Sequence, residues 1–180
     1  PDGTYYIYDL RLTPRPQGDL PNYTFTTVPM SESFEGDTTA LLGLDSSTIV
    51  ASGAQDGSKC MEVAATDAPT LLIDNREGTS DLKYKATVYV KAKDTADAGI
   101  VKFAGSTTFK DAKYETYQGY ENVKGATCTS NERNLSNSGE WMTVTANITV
   151  SAGSISEVSL TRVGNAEFAY LMDSFVVTER

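Results

Sequence analysis

Hydrophobic and polar positions alternate over residues 82–91. Leu82, Tyr84, Ala86, Val88 and Val90 fall on one side, and Lys83, Lys85, Thr87, Tyr89 and Lys91 on the other. A period of two predicts a strand with one face in a core and one in solvent, the pattern of antiparallel sheets. Residues 141–150 repeat it, with Met142, Val144, Ala146, Ile148 and Val150 inward and Thr143, Thr145, Asn147 and Thr149 outward. Further strands are expected at 59–65, after the turn Gln55-Asp56-Gly57-Ser58, and at 99–104. Ser33-Phe34-Glu35 reads as the strand that opens the main domain, with Gly36-Asp37 as its turn. Shorter strands are expected at 48–51, 70–73 and 155–163. No long run carries a helical period. Strands recurring every ten residues or so, with polar turns between, predict an all-β chain folded as an antiparallel β-sandwich.

The last apolar run, residues 168–177, is aromatic and β-branched and lacks Gly and Pro. As a regular strand it places Ala169, Leu171, Asp173, Phe175 and Val177 on one face, because side chains alternate. Asp173 then shares a face with core residues, where an ionised carboxylate needs a basic partner, several backbone N–H donors or a metal ion. At the other end, residues 4–13 also read as a strand, and Tyr6-Ile7-Tyr8-Asp9 echoes Tyr170-Leu171-Met172-Asp173. Residues 1–13 are either the end of a preceding module or an added edge strand. Residues 14–21, with three prolines, read as a semi-rigid linker. The main module is expected over 22–180. Residues 109–137, rich in Tyr, Asn, Lys and Ser, show only weak periodicity.

Composition narrows the function. The 180 residues carry 24 acidic and 15 basic side chains, a net charge of −9, and no histidine. Nucleic acid and acidic membranes need basic patches and are not expected as partners. A strongly anionic polysaccharide is disfavoured unless calcium bridges it. Without His there is no Ser-His triad. A glycosidase needs only two carboxylates, which composition alone does not exclude, but no strand face gathers a compact acidic motif. Cys60 and Cys128 read first as one disulfide, worth roughly 4 kcal/mol if formed, and second as two buried thiols; two Cys without His do not make a zinc site. No stretch is apolar enough to span a bilayer. A chain starting at Pro1 without a leader reads as an excised fragment of an extracellular protein.

The order of these blocks resembles the jelly-roll carbohydrate-binding modules grouped around families 4, 9, 16 and 22. The resemblance rests on Phe34-Glu35, on Gly57-Ser58-Lys59-Cys60-Met61-Glu62-Val63, and on Tyr84 followed by Tyr89-Val90-Lys91. Trp141 at the head of a Thr/Val strand and Asp173 in the closing strand complete it. Two departures stand out: the paired aspartates common in the last strand are Asp173-Ser174 here, and Trp141 is the only tryptophan. The resemblance implies a structural calcium ion, held by backbone carbonyls at Ser33, Gly57 and Lys59 and by the Asp173 carboxylate, with Glu32 or Glu35 able to add another. Calcium takes six to eight oxygens, and carbonyls at strand ends supply them. The alternative for Asp173 is a set of turn N–H donors or a lysine. The loop from Asp94 to Gly99 lacks the closing Glu of an EF-hand and reads as an ordinary turn.

Sugar recognition needs flat apolar faces for the C–H side of a pyranose and polar groups for its hydroxyls. Tyr89 projects from the polar side of its strand. Tyr114, Tyr117 and Tyr120 cluster in the irregular segment, and Arg162, with Lys102, Asn75, Arg76 and Asn165, supplies polar candidates. Trp141 belongs to the core or its rim. The leading expectation is a non-catalytic, extracellular module that holds an attached enzyme on a neutral polysaccharide of the β-glucan, xylan, mannan or starch class, acting as a monomer beside covalently linked modules. The alternative is a structural or protein-interaction sandwich without a sugar site. A small glycan-active enzyme ranks third.

Overall fold

The computed structural model describes residues 24–75, 77–105, 126–164 and 166–180. The expected strand at 4–13, the linker at 14–21, the tyrosines Tyr114, Tyr117 and Tyr120, and Arg76 and Asn165 lie outside the described residues. Among the described residues the strands are β1 (Met30–Glu32), β2 (Thr48–Val50), β3 (Cys60–Val63), β4 (Thr70–Asn75), β5 (Leu82–Ala92) and β6 (Ile100–Gly105). They continue as β7 (Thr127–Ser130), β8 (Arg133–Asn134), β9 (Met142–Val150), β10 (Ser154–Arg162) and β11 (Tyr170–Glu179). A 3₁₀ turn follows β8 at Leu135–Asn137.

They form two sheets. The larger runs β2-β3-β11-β5-β9-β7, with β1 also paired to β11, and the smaller runs β4-β10-β6-β8. All pairings are antiparallel. The alternation along β5 holds as expected: Tyr84, Ala86, Val88 and Val90 are buried while Lys83 and Lys85 are exposed. On β9, Val144, Ala146, Ile148 and Val150 are buried. The inner faces of both sheets meet in one core. Phe103 of β6 packs edge-on against Phe175 of β11, with ring centroids 5.7 Å apart, so this pair joins the two sheets. Buried aromatics of this kind each contribute roughly 1.5–3 kcal/mol from area alone.

Three expectations are corrected. The opening strand ends at Glu32, before the expected Ser33-Phe34-Glu35, because the Glu32 carboxylate accepts the Phe34 amide at 3.0 Å and the chain curls. Phe34 takes a φ of 59° and plugs the core with no exposed surface. In β11 the register to β5 shifts between Asp173 and Val176, with Ser174 at a φ of 48°. This bulge resets the alternation. Tyr170, Met172, Phe175 and Val177 therefore face the core, and Asp173 sits on the other side from Phe175 and Val177.

The third correction concerns the cysteines, both of which are free thiols. Cys60 lies on β3 and Cys128 on β7, with β11, β5 and β9 between them. Four inter-strand steps alone separate them by about 19 Å across the sheet. A disulfide needs Cα atoms within roughly 7 Å.

Candidate functional site

The corner predicted to hold an ion is assembled by the fold. Residues 51–59 form a loop between β2 and β3 that lies over Asp173, which is wholly buried. Asp173 Oδ2 accepts the amides of Gln55 at 2.8 Å and Asp56 at 3.1 Å, and Oδ1 accepts that of Ser174 at 2.7 Å. The charge is thus balanced by backbone donors, the arrangement set beside calcium on sequence grounds. Glu35 grips the other half of the same loop. Its Oε1 accepts the amides of Ser58 and Lys59, both at 2.8 Å, and its Oε2 the Ser58 hydroxyl at 2.7 Å. These donors, with the Lys59 amide foremost, hold the Glu35 carboxyl below the usual carboxylate range. Gly57 is required here: its φ is +72°, and a Cβ would run into Glu35 Oε1.

The arrangement leaves Asp173 Oδ1 and Glu35 Oε2 with one donor each, so each keeps acceptor capacity for an oxygen-seeking cation. Ser33, Gly57 and Lys59 lie in the segments those two carboxylates join. Among the described residues no group of three or more acidic, cysteine or histidine side chains could hold a metal. Any calcium here must draw most of its ligands from backbone carbonyls, the donor type the resemblance implies. The spare acceptor capacity of Asp173 Oδ1 and Glu35 Oε2 is compatible with such an ion.

Arg162 does not serve a surface ligand. Its Nε donates to the Phe168 carbonyl at 2.7 Å, Nη1 to that of Asp67 at 2.5 Å and Nη2 to that of Ala64 at 2.7 Å. The guanidinium also stacks on Phe168 and Tyr170, 5.2 and 4.9 Å from the ring centroids. Its rigid fork matches three carbonyls, two from the 64–67 turn and one from Phe168 ahead of β11, so its role is to tie these segments to β10. The sequence marked it as polar and available because the run Ser159-Leu160-Thr161-Arg162 carries no sign of those carbonyls.

Tyr89 does lie on an outer face, that of the larger sheet. It is half-buried, flanked across the strands by Asp173 of β11 and Thr143 of β9. The next row holds Thr145, Thr87, Val176 and Ser31, and the row on the other side pairs Lys91 with Leu171 and Leu171 with Glu62. Lys85 stands between Asn147 and Thr178. The result is a broad face of hydroxyls with an aromatic ring in it. Trp141, half-buried, immediately precedes β9.

The outer face of the smaller sheet differs. Leu72 of β4 and Ile155 of β10 are buried there beneath Phe25 and Leu42, so the chain itself covers that side. Farther across, Lys102 pairs with Glu132 at 2.8 Å. An open cavity of about 410 Å³ lies at the β2 edge, with Leu44, Ile49 and Met61 among its lining and the Lys59–Asp37 ion pair bordering it. Its lining has no aromatic ring. The loop from Asp94 is an ordinary turn, with the Ala96 amide bonded to the Asp94 carboxylate.

No family model matches the sequence, and no curated protein matches it. Solved structures share its fold. A family 22 xylan-binding domain from Paenibacillus barcinonensis matches with a TM-score of 0.61 at 16% identity, over 87% of this chain and 97% of that one. An N-terminal family 22 module joined to a family 10 module in a Clostridium thermocellum xylanase, solved with xylohexaose, matches at 0.55 and 16%. That match covers 84% of this chain and 28% of the longer one. The C-terminal family 22 module of the Clostridium thermocellum protein matches at 0.53 and 11%, over 83% and 92%. The chain has the antiparallel β-sandwich fold of the family 22 carbohydrate-binding modules.

Proposed function

We propose that this chain is a non-catalytic carbohydrate-binding module that holds a partner enzyme on a polysaccharide with a neutral backbone, xylan being the first candidate. The observation that carries the reading is the match over nearly the whole length of a xylan-binding domain. A sandwich hosts many functions, so the surface must also suit the ligand. The outer face of the larger sheet does: Tyr89 offers a ring for a C–H face, and Thr87, Thr143 and Thr145 offer hydroxyls on either side. Tyr114, Tyr117 and Tyr120 remain candidates for the same role. Arg162, engaged by three backbone carbonyls, does not share that role. Affinity-gel electrophoresis against xylan, β-glucan, mannan and starch tests the proposal. Retardation by at least one polysaccharide is expected, and retardation by none removes the reading. Tyr89→Ala should weaken that retardation.

The same reading includes a structural calcium ion at the corner of Ser33, Gly57, Lys59 and Asp173, with Glu35 as a further carboxylate. It would bind the opening segment, the 51–59 loop and the closing strand together and take no part in sugar chemistry. A module of this kind works outside the cell beside catalytic modules, as one of its structural neighbours is joined to a family 10 module.

A further inference from the structure

We propose that the row Lys83, Lys85 and Lys91 on β5 recognises carboxylate groups on the bound polysaccharide, so that the ligand is a neutral backbone bearing uronic-acid branches. This inference rests on the carbohydrate-binding reading and specifies its ligand. The three lysines share the outer face of β5 with Thr87 and Tyr89. At about 3.4 Å per residue, Lys83 and Lys85 are about 7 Å apart and the row extends roughly 27 Å. Exposed lysines are common where they guard the edge of a sheet. That explanation fails here, because β5 lies between β11 and β9 in the middle of the larger sheet.

Nor do local acids neutralise the row. The cross-strand partners of Lys83, Lys85 and Lys91 are Thr149, Asn147, Thr178 and Leu171. Among the described residues none of the three makes an ion pair, whereas Lys59, Lys93 and Lys102 each do. Glu62, the nearby acid on this face, is taken by Lys93. Asp173 is buried and its oxygens accept three amides. At the ends, Asp81 accepts the Ala152 amide and Glu140 precedes β9. A chain of net charge −9 thus keeps an uncompensated cationic track beside the half-buried ring of Tyr89. The overall charge repels a uniformly acidic polymer, while the track attracts isolated carboxylates on a neutral one.

The test compares xylohexaose with the same backbone carrying one glucuronic acid branch, by isothermal titration at low salt and at about 0.5 M salt, where the screening length is roughly 4 Å. Tighter binding of the branched sugar is expected, by roughly fivefold because exposed ion pairs are individually weak. The preference should vanish at high salt and in the Lys83→Gln/Lys85→Gln variant, and survive in Lys83→Arg/Lys85→Arg. Equal affinities for the two sugars, or a preference untouched by the Gln variant, overturn the proposal and leave the carbohydrate-binding reading standing. Absence of binding to both sugars, together with absence of retardation across the polysaccharide panel, overturns that reading itself.

Discussion

Asp173 and Glu35 divide the amides of one loop between them: Asp173 takes those of Gln55 and Asp56, and Glu35 those of Ser58 and Lys59. The two acids lie 138 residues apart in sequence, as 173 minus 35, so the loop joins the opening segment to the closing strand. Removing Asp173 strands three donors beneath the loop. Asp173→Ala should therefore cost about 3 kcal/mol, read as a lower urea midpoint. Asp173→Asn keeps an acceptor oxygen and should cost less. Equal stability of the Ala variant and the parent chain would show that the loop contributes nothing.

Calcium supplies a separate expectation. If the ion sits on this corner, it binds only the folded chain and raises the thermal midpoint in a saturable way. The rise should disappear with chelator and be absent in Asp173→Asn. Differential scanning calorimetry with and without calcium decides it: an unchanged midpoint means that the amides alone hold the two carboxylates.

The acid side of the stability curve follows from Glu35 and Asp67. Glu35 is held below its ordinary value of 4.5 by the donors of Lys59 and Ser58. For Asp67, burial pushes the value upward, but hydrogen bonds from Ser47, Ser46 and Thr66 outweigh it and the net shift is downward. A carboxyl with a depressed folded value contributes stability that is fully present above its unfolded value and is lost as pH falls through the folded one. The thermal midpoint should therefore hold steady from neutrality to about pH 5 and fall below about pH 4. Glu35→Gln should lower it at neutral pH and lose that difference in acid, when the parent's own carboxyl is protonated.

The fold was legible where one rule decided the pattern. The Leu82-to-Val90 alternation and the Met142-to-Val150 alternation each reflect a strand with one wet face, and both sit as read. The fate of Asp173 was legible only by half. Its burial and need for partners followed from chemistry, yet its face did not, because one bulge at Ser174 reverses the count and leaves no mark in the residues. Arg162 was misread for a related reason: its partners are backbone carbonyls from residues 64, 67 and 168, and every residue type offers those equally. The lysine row was visible as residues but not as an unpaired set, since pairing depends on which strands flank β5.

The cysteines give a prediction about reactivity. Burial pushes the Cys128 thiol up to about 11. Cys60 is also raised, by burial first and then by the nearby carboxylates of Asp173 and Glu62. Thiolate is the reacting form, so neither side chain should react quickly with an aromatic disulfide reagent at mildly alkaline pH. Unfolding in urea should release two titratable thiols. A mass short by two hydrogens in the oxidised, unlabelled chain would mean that the two have bonded and that the larger sheet is not ordered as described.

Tyr170 carries a buried hydroxyl with no hydrogen-bond partner among the described residues, while its ring supports Arg162 at 4.9 Å and packs against Phe168. Burial pushes its ionisation far upward, so the group stays neutral. The ring and the hydroxyl therefore act in opposite directions. The ring contributes area and a cation–π contact, whereas an unpaired buried hydroxyl costs about 1–3 kcal/mol. Tyr170→Phe keeps the first and removes the second, and should leave stability unchanged or raise it by about 1 kcal/mol. Tyr170→Leu loses the aromatic face under the guanidinium and should destabilise, loosening the loop carbonyls of Ala64 and Asp67 that Arg162 holds. Urea unfolding of both variants separates the two effects. A Phe variant clearly less stable than the parent would place an ordered water on the hydroxyl, linking it to the Arg162 network.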